Sequence, residues 1–312
     1  MVVDTILFGD CRETLKEFDG KARTCVTSPP YYGLRNYGNE EDQIGQEQTP
    51  EEYIQNLVEV FRSVRDVLTD DGTLWVNIGD SYYNYRPGKG QALPKQTVSK
   101  TKQDLPDKCA KRGNKLEGLK EKDLIGIPWM LAFALRADGW YLRQDIIWHK
   151  PNPMPESVKD RCTKSHEYIF LLSKNRKYYY NNEAIKEPVK QDWGTRDRTK
   201  GKYHNPGTGL VPHSGLSKSY DRKNKRDVWT VTNKPYKGAH FAVYPPDLIE
   251  PCIKAGSEEG DIVLDPFMGS GTTALVSKSL NRHYIGCELH EDYGRLIQKR
   301  LSEKSFARLK LE

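Results

Sequence analysis

The chain has 312 residues and a net charge of +6, and 36% of its residues are hydrophobic, which is enough for a buried core. No apolar run approaches the roughly 20 residues that cross a bilayer, and no basic leader precedes the apolar N-terminal stretch. The six cysteines form no CxxC pair. Composition therefore argues against a disordered chain, a secreted disulfide scaffold and a zinc ribbon, and it favours a soluble protein of a reducing compartment.

Short apolar runs alternate with amphipathic segments along the chain, which is typical of an α/β protein. Near-continuous apolar character predicts buried strands at 4–8, 22–27, 73–78, 143–149, 167–172, 261–265 and 283–287. Helices are predicted between them, most clearly at 50–68, at 128–139 and after the glycines at 269 and 271. The first of these helices has the strongest start signal, because Thr49 is a predicted N-cap, Pro50 follows it, and Glu52 completes a capping box.

Two segments carry an excess of basic residues. Residues 86–122 contain 11 Lys or Arg against 4 Asp or Glu, and residues 186–237 contain 13 against 5, with Trp and Tyr interleaved. Such a mixture suits a nucleic-acid surface, since cations displace counterions from phosphates and aromatic rings stack on bases. Solvated loops have a similar composition, so the two segments alone leave both interpretations open.

The first motif with chemical meaning is Ser28-Pro29-Pro30-Tyr31, directly after the predicted strand 22–27. Two prolines cannot continue a central strand, so they predict a rigid turn at its carboxyl end, where open α/β sheets bind ligands. The Ser28 hydroxyl and the backbone carbonyls offer acceptors beside the Tyr31 ring, an arrangement that suits a planar group with an NH2, such as a nucleobase. An ordinary Pro-Pro turn is the alternative.

The second motif is a glycine-rich turn, Asp265 to Thr272, between a predicted strand and a predicted helix. Its glycines permit close backbone approach and the helix N-terminus favours a negative group, but no lysine follows, so it is not a P-loop. Glu288 ends the next predicted strand, about 20 positions on, where a carboxylate can accept hydrogen bonds from ribose hydroxyls. The motif predicts a nucleoside-containing cofactor, with a simple pair of packing glycines as the alternative.

Together the two motifs resemble those of amino-group DNA methyltransferases. In that family an FxGxG loop binds S-adenosylmethionine and a (D/N/S)PP(Y/F) tetrapeptide holds a flipped base, and the matching residues here are Phe267–Gly271 and Ser28–Tyr31. The catalytic motif comes first, which is the permuted order of the family's β group. The resemblance implies a Rossmann-like α/β methyltransferase fold, with a mostly parallel sheet, one antiparallel strand and long basic inserts.

The resemblance also implies roles for individual residues. The catalytic set is Ser28, Pro29, Pro30 and Tyr31. The set that binds S-adenosylmethionine is Asp10, Asp265, Phe267, Gly269, Gly271, Thr272 and Glu288. The DNA-binding set is Arg222, Lys223, Lys225 and Arg226, and no metal is expected. Cys25 lies within a predicted strand, so we expect a core residue there and not a nucleophile.

The expected domain organisation follows the motif order. Residues 1–186, with the basic insert 83–122, would form the catalytic half, residues 187–236 a target-recognition region, and residues 237–312 the cofactor-binding half. The strands at 261–265, 283–287 and 4–8 would form one half of the sheet, so that both motif loops meet between the halves.

The expected reaction is methylation of the N4 amino group of a flipped cytosine, because Thr-Ser-Pro-Pro-Tyr is typical of cytosine-N4 enzymes in this family. Adenine-N6 methylation is the first alternative, since Asp-Pro-Pro-Tyr is typical of those enzymes and both motifs offer an acceptor. A non-enzymatic nucleic-acid-binding module and a nicotinamide oxidoreductase are the others. The expected partners are double-stranded DNA and a cognate restriction endonuclease, with no membrane. The expected location is bacterial or phage-encoded and cytoplasmic, with monomer and homodimer both open.

Overall fold

The computed structural model describes residues 2–33, 43–83, 116, 118–189, 221–233 and 244–302. The chain divides into two compact units, one formed by Met1–Tyr180 with Asp227–Glu312 and the other by Asn181–Arg226. Among the described residues, no helix is both long enough and apolar enough to cross a membrane.

An eight-stranded sheet forms the centre of the first unit. Its strands are β1 (Thr5–Phe8), β2 (Ala22–Thr27), β3 (Leu68–Ile78), β4 (Tyr141–His149), β5 (His166–Ser173), β8 (Val228–Thr230), β9 (Ile262–Asp265) and β10 (His283–Glu288). They lie side by side in the order β1-β10-β9-β2-β3-β5-β4-β8. Within this sheet only β5 runs antiparallel to its neighbours, β3 and β4, and every other pair is parallel. The predicted α/β class and the mostly parallel sheet with one antiparallel strand are therefore confirmed.

Six α-helices are described in the same unit: α1 (Cys11–Thr14), α2 (Pro50–Val67), α3 (Ile127–Ala137), α4 (Pro246–Gly256), α5 (Thr272–Ser279) and α6 (Asp292–Leu301). The predicted capping box of α2 is present, because the Thr49 side chain accepts from the backbone of Glu52 and the Glu52 side chain accepts from the backbone of Thr49. The helix buries its apolar face, with Tyr53 and Phe61 fully buried. The predicted core position of Cys25 is confirmed, since it has no exposed surface.

The contact between β2 and β9 decides where the site lies. Cys25 of β2 pairs with Leu264 of β9, and both strands run in the same direction. Their carboxyl ends therefore meet at one edge of the sheet, although about 240 residues separate them in sequence. As predicted, the turn after Thr27 and the turn after Asp265 are neighbours.

The second unit, Asn181–Arg226, contains a 3₁₀ turn (Glu183–Ile185) and a two-stranded antiparallel ribbon of β6 (Glu187–Pro188) and β7 (Arg222–Lys223). Residues 190–220, most of the predicted target-recognition region 187–236, lie outside the described residues, as does most of the predicted insert 83–122. The end of the region behaves differently, because β8 forms the edge strand of the large sheet beside β4. The assignment of 187–236 to target recognition stays a prediction.

Candidate active site

A cavity of about 570 Å³ opens at the carboxyl ends of the central strands. Both sequence motifs contribute to its wall. From the first come Ser28, Pro29, Pro30 and Tyr31, and from the second Phe267, Gly269 and Thr272. Asp10 and Glu288, at the ends of β1 and β10, complete the predicted residues that line it. Two of the predicted cofactor residues, Asp265 and Gly271, are not among the lining residues.

Glu288 presents a buried carboxylate to the cavity. Its Oε2 accepts a hydrogen bond from the backbone N–H of Gly269 at 2.7 Å, and its Oε1 accepts one from the N–H of His290 at 3.1 Å. Burial raises the pKa of Glu288 despite these two donors. Because a carboxylate has about four acceptor positions, the two backbone bonds orient it and leave capacity for donors from a ligand.

Asp265 has a different environment, fully buried behind the glycine-rich turn. Its Oδ1 accepts from the Thr27 hydroxyl at 2.6 Å and from the backbone N–H of Phe267 at 3.0 Å. Its Oδ2 accepts from the Thr273 hydroxyl at 2.6 Å and from the Tyr244 hydroxyl at 3.1 Å. Burial raises its pKa against the effect of these donors. The carboxylate thus joins β2, β9, α5 and the segment before α4, and its acceptor capacity is filled by the protein.

Gly271 is needed for packing. Its φ of +80° lies in the left-handed region, and a Cβ at this position would lie 2.9 Å from Cγ2 of Ile297 on α6. Both constraints favour glycine without a ligand. The residue therefore lets α6 pack closely against the start of α5.

Asp10 lines the cavity and also caps α1. Its side chain accepts from the backbone N–H of Arg12 at 2.8 Å and forms an ion pair with the Arg12 guanidinium. Burial opposes ionisation of Asp10, but the Arg12 bonds outweigh it and lower its pKa. The carboxylate is thus charged and oriented at the wall of the cavity.

The Ser-Pro-Pro-Tyr turn offers fewer free carbonyls than the sequence predicted. The Pro30 carbonyl accepts a hydrogen bond from the Tyr53 hydroxyl at 2.8 Å, so the expectation of free carbonyls is wrong at this residue. No bond from the described residues is present at the Pro29 carbonyl, and Pro29 lines the cavity beside the half-buried Ser28. The acceptors that the turn can present to a substrate are the Ser28 hydroxyl and the Pro29 carbonyl.

Tyr31 belongs to a hydrogen-bonded network that the sequence did not predict. Its hydroxyl donates to Glu167 Oε2 at 2.7 Å and to Asn77 Oδ1 at 3.3 Å. Glu167 also forms an ion pair with Lys150, and its side chain and that of Lys150 are 15% and 17% exposed. Gly79 packs against the ring edge, with a Cβ position 2.8 Å from Tyr31 Cε2. A Glu within an apolar strand was the available signal.

Lys164 and Asp80 are further cavity residues without a predicted role. The Lys164 ammonium donates to the Asp80 carbonyl at 2.7 Å, and burial lowers its pKa. The Asp80 carboxylate accepts from the backbone N–H groups of Gly126 and Ile127, each at 3.1 Å, and so caps the start of α3. No group of three or more potential metal ligands occurs in the part of the chain that the structure describes.

The predicted DNA-binding cluster lies in the second unit around β7. Arg222 and Arg226 are exposed, whereas Lys223 and Lys225 are half-buried. Arg222 donates to the Lys186 carbonyl at 2.8 Å, and Arg226 Nε lies 3.1 Å from Glu187 Oε2. Arg226 is thus already paired within the unit, a partner that the charge count alone could not reveal.

Comparison with known proteins agrees with this fold and site. The family model of N6/N4 methyltransferases, described as DNA methylase, matches residues 22–299. The Type II methyltransferase M.SmaI of Serratia marcescens is 47% identical over 95% of this chain and 90% of its own length. M.Cfr9I of Citrobacter freundii is 46% identical over 95% and 87%. The chain therefore belongs to the N6/N4 DNA methylase family.

Solved structures support the same fold. The PvuII DNA methyltransferase, described as cytosine-N4-specific, has a TM-score of 0.61 at 17% identity and covers 99% of this chain and 92% of its own. The TTHA0409 protein of Thermus thermophilus, solved with S-adenosyl-L-methionine, has a TM-score of 0.58 at 23% identity, with 98% and 94% coverage.

Proposed function

We propose that the protein transfers a methyl group from S-adenosylmethionine to the N4 amino group of a flipped cytosine in double-stranded DNA. The observation that carries the proposal is the single cavity lined by both motifs, with Ser28 and Tyr31 on one wall and Phe267 and Glu288 on the other. A nucleotide base and a nucleoside cofactor would meet there at the ends of β2 and β9.

The residues of the second wall fit S-adenosylmethionine. Glu288 keeps acceptor capacity for ribose hydroxyls, the Phe267 ring lines the same space, and Thr272 begins α5, whose N-terminal N–H groups favour a carboxylate. The bound cofactor supplies an electrophilic methyl group on a sulfonium. We propose Asp10, Phe267, Gly269, Thr272 and Glu288 as contacts, while Asp265 and Gly271 hold the turn in shape.

The first wall activates the acceptor. The exocyclic amino group of a base is a poor nucleophile, because its lone pair is delocalised into the ring. If the Ser28 hydroxyl and the Pro29 carbonyl accept its hydrogens, the lone pair is localised and directed across the cavity. The Tyr31 ring would stack on the base and hold it in the extruded position. The residues thus contribute position and electrostatics and require no covalent intermediate.

The choice of cytosine over adenine rests on Ser28, the first residue of the tetrapeptide. Mass spectrometry of nucleosides from DNA of cells that express the protein tests it directly, because the method identifies both the base and the methylated atom. We expect N4-methylcytosine. N6-methyladenine would overturn the cytosine assignment, and unmodified DNA from cells that contain folded protein would overturn the enzymatic function.

A single variant tests whether base choice resides at this position. Ser28→Asp keeps an acceptor and reproduces the tetrapeptide typical of adenine-N6 enzymes. We expect it to remain cytosine-specific at a reduced rate, because the shape of the cavity should dominate over one acceptor. Formation of N6-methyladenine by Ser28→Asp would instead place base selection at residue 28.

DNA recognition is proposed for residues 187–236, with 83–122 as a second contact segment, on the strength of their basic and aromatic composition. Relatives named as Type II methyltransferases make a restriction endonuclease of the same specificity the proposed partner in the cell. Gel-shift titration of the purified protein with specific and unrelated duplexes would measure the recognition component. Equal affinity for both duplexes would contradict it.

A further inference from the structure

We propose that Glu167, held by Lys150, is a positioning residue that fixes the Tyr31 ring against Gly79 as a preformed stacking surface for the flipped base. The inference rests on the proposed function, since it gives a role in base binding to residues outside both motifs. Glu167, Lys150 and Gly79 all line the cavity beside Tyr31.

The hydroxyl of Tyr31 is held by two acceptors on adjacent strands of the sheet. Glu167 of β5 accepts at 2.7 Å and Asn77 of β3 accepts at 3.3 Å. Because burial and the negative charge of Glu167 raise the pKa of Tyr31, the hydroxyl stays protonated and remains a donor. A tyrosine bonded at its far end can no longer rotate freely about its side-chain bonds, so the plane of the ring is set before DNA arrives.

Glu167 is itself held in place. Its Oε1 pairs with the Lys150 ammonium, and the two side chains are only 15% and 17% exposed. The Lys150 ammonium also lies 4.1 Å from the centre of the Trp148 ring. A buried carboxylate without partners is costly, whereas a fully bonded one gives a network with a single arrangement. The ion pair therefore orients the acceptor that orients Tyr31.

Gly79 provides the space for the ring. A Cβ at residue 79 would lie 2.8 Å from Tyr31 Cε2, closer than side-chain carbons normally approach. Its φ is not in the left-handed region, so glycine is required here by the ring and not by the backbone. An alanine at this position would push the ring away while leaving Glu167 and the Tyr31 hydroxyl chemically intact.

The expected consequence is a change in the equilibrium between stacked-in and flipped target base. Stacking on an aromatic side chain favours the flipped state, and a mobile ring gives up part of that advantage. If the flipped state is the minor one in a matched duplex, the single-turnover rate falls in proportion to its population. If the target base is mispaired, flipping is already favourable and the same loss has little effect on the rate.

Single-turnover methyl transfer at saturating DNA tests the proposal with Tyr31→Phe, Glu167→Leu, their double variant and Gly79→Ala. Each single variant should slow transfer on a matched duplex by about tenfold, within the range that one stacked base contributes. The double variant should be no slower than the slower single variant, because both remove the same bond. On a duplex with a mispaired target the losses should shrink to about twofold. Affinity for S-adenosylmethionine should be unchanged.

Glu250→Leu is the matched control, since it removes the carboxylate of another Lys–Glu pair, with Lys254 on α4, and neither residue lines the cavity. It should transfer at the wild-type rate. A wild-type rate for Tyr31→Phe, additive losses in the double variant, or equal losses on matched and mispaired duplexes would each overturn the positioning role. Failure of the proposed function is distinguishable, because wild-type protein would then transfer no methyl group to either duplex.

Discussion

The packing of α6 against the glycine-rich turn predicts a large cost for Gly271→Ala. The φ of +80° is unfavourable for an L side chain, and a left-handed residue costs about 1–2 kcal/mol. The new Cβ would also lie 2.9 Å from Cγ2 and 3.2 Å from Cγ1 of Ile297, which is fully buried, and overpacking typically costs about 1–3 kcal/mol. We therefore expect the free energy of unfolding to fall by about 2–5 kcal/mol.

The chain offers a glycine that separates the two contributions. Gly260, in the turn before β9, has a φ of +84°, and no atom lies within 4 Å of its Cβ position. Gly260→Ala should therefore lose only the backbone part, about 1–2 kcal/mol. Urea denaturation of both variants, followed by tryptophan fluorescence or circular dichroism, measures the difference. Adding Ile297→Ala to Gly271→Ala should recover part of the packing contribution, because only the Ile297 Cβ, at 3.4 Å, would remain.

Equal costs for Gly271→Ala and Gly260→Ala would refute the packing argument. The result also bears on how cofactor binding is tested. A Gly271→Asp variant that fails to bind S-adenosylmethionine has lost a close contact with Ile297 as well as any contact with the ligand. Affinity should therefore be compared only in variants whose unfolding transition matches that of the wild type.

Three further predictions concern the site and the DNA surface. Ser28→Ala should reduce the single-turnover rate about 10²–10³-fold with unchanged cofactor affinity, because one oriented transition-state hydrogen bond is lost; near wild-type transfer would contradict that role. Glu288→Gln should weaken S-adenosylmethionine binding in isothermal titration by roughly tenfold or more, since hydrogen bonds to a charged acceptor are lost; unchanged affinity would contradict the ribose assignment. Alanine replacement of the basic cluster should weaken DNA binding and reduce its salt dependence by roughly one unit of slope per lost phosphate contact, whereas an unaltered slope would identify a solvated loop. The replaced residues are Arg222, Lys223, Lys225 and Arg226.

The sequence predicted the parts of the fold that repeat a simple pattern. The strands that form β2 and β9 are apolar runs that end at a polar turn, and each turn contains residues with a distinctive backbone requirement, Pro29-Pro30 in one and Gly269 in the other. Because parallel strands bind ligands at their carboxyl ends, two such turns are sufficient to predict one site.

Other features depend on contacts between distant residues and left little trace in the sequence. The edge strand β8 has three residues, of which only Trp229 is buried, so no alternation was long enough to predict it. Glu167, which holds the Tyr31 hydroxyl, lies 136 residues from it in sequence. The two meet only because β5 runs antiparallel between β3 and β4. Spacing along the chain carries no information about such a meeting.

The two carboxylates at the ends of β9 and β10 show how structure separates residues that sequence places in one class. Asp265 and Glu288 each end a buried strand, and burial raises the pKa of both. Asp265 accepts four hydrogen bonds from the protein, which fill its oxygens, so its role is to hold the turn together. Glu288 accepts two, both from backbone N–H groups, and its remaining capacity faces the cavity. A ligand hydroxyl that donates to Glu288 would favour its charged form against the effect of burial, so ligand binding supplies what the fold has left unsatisfied at this residue and has already satisfied at the other.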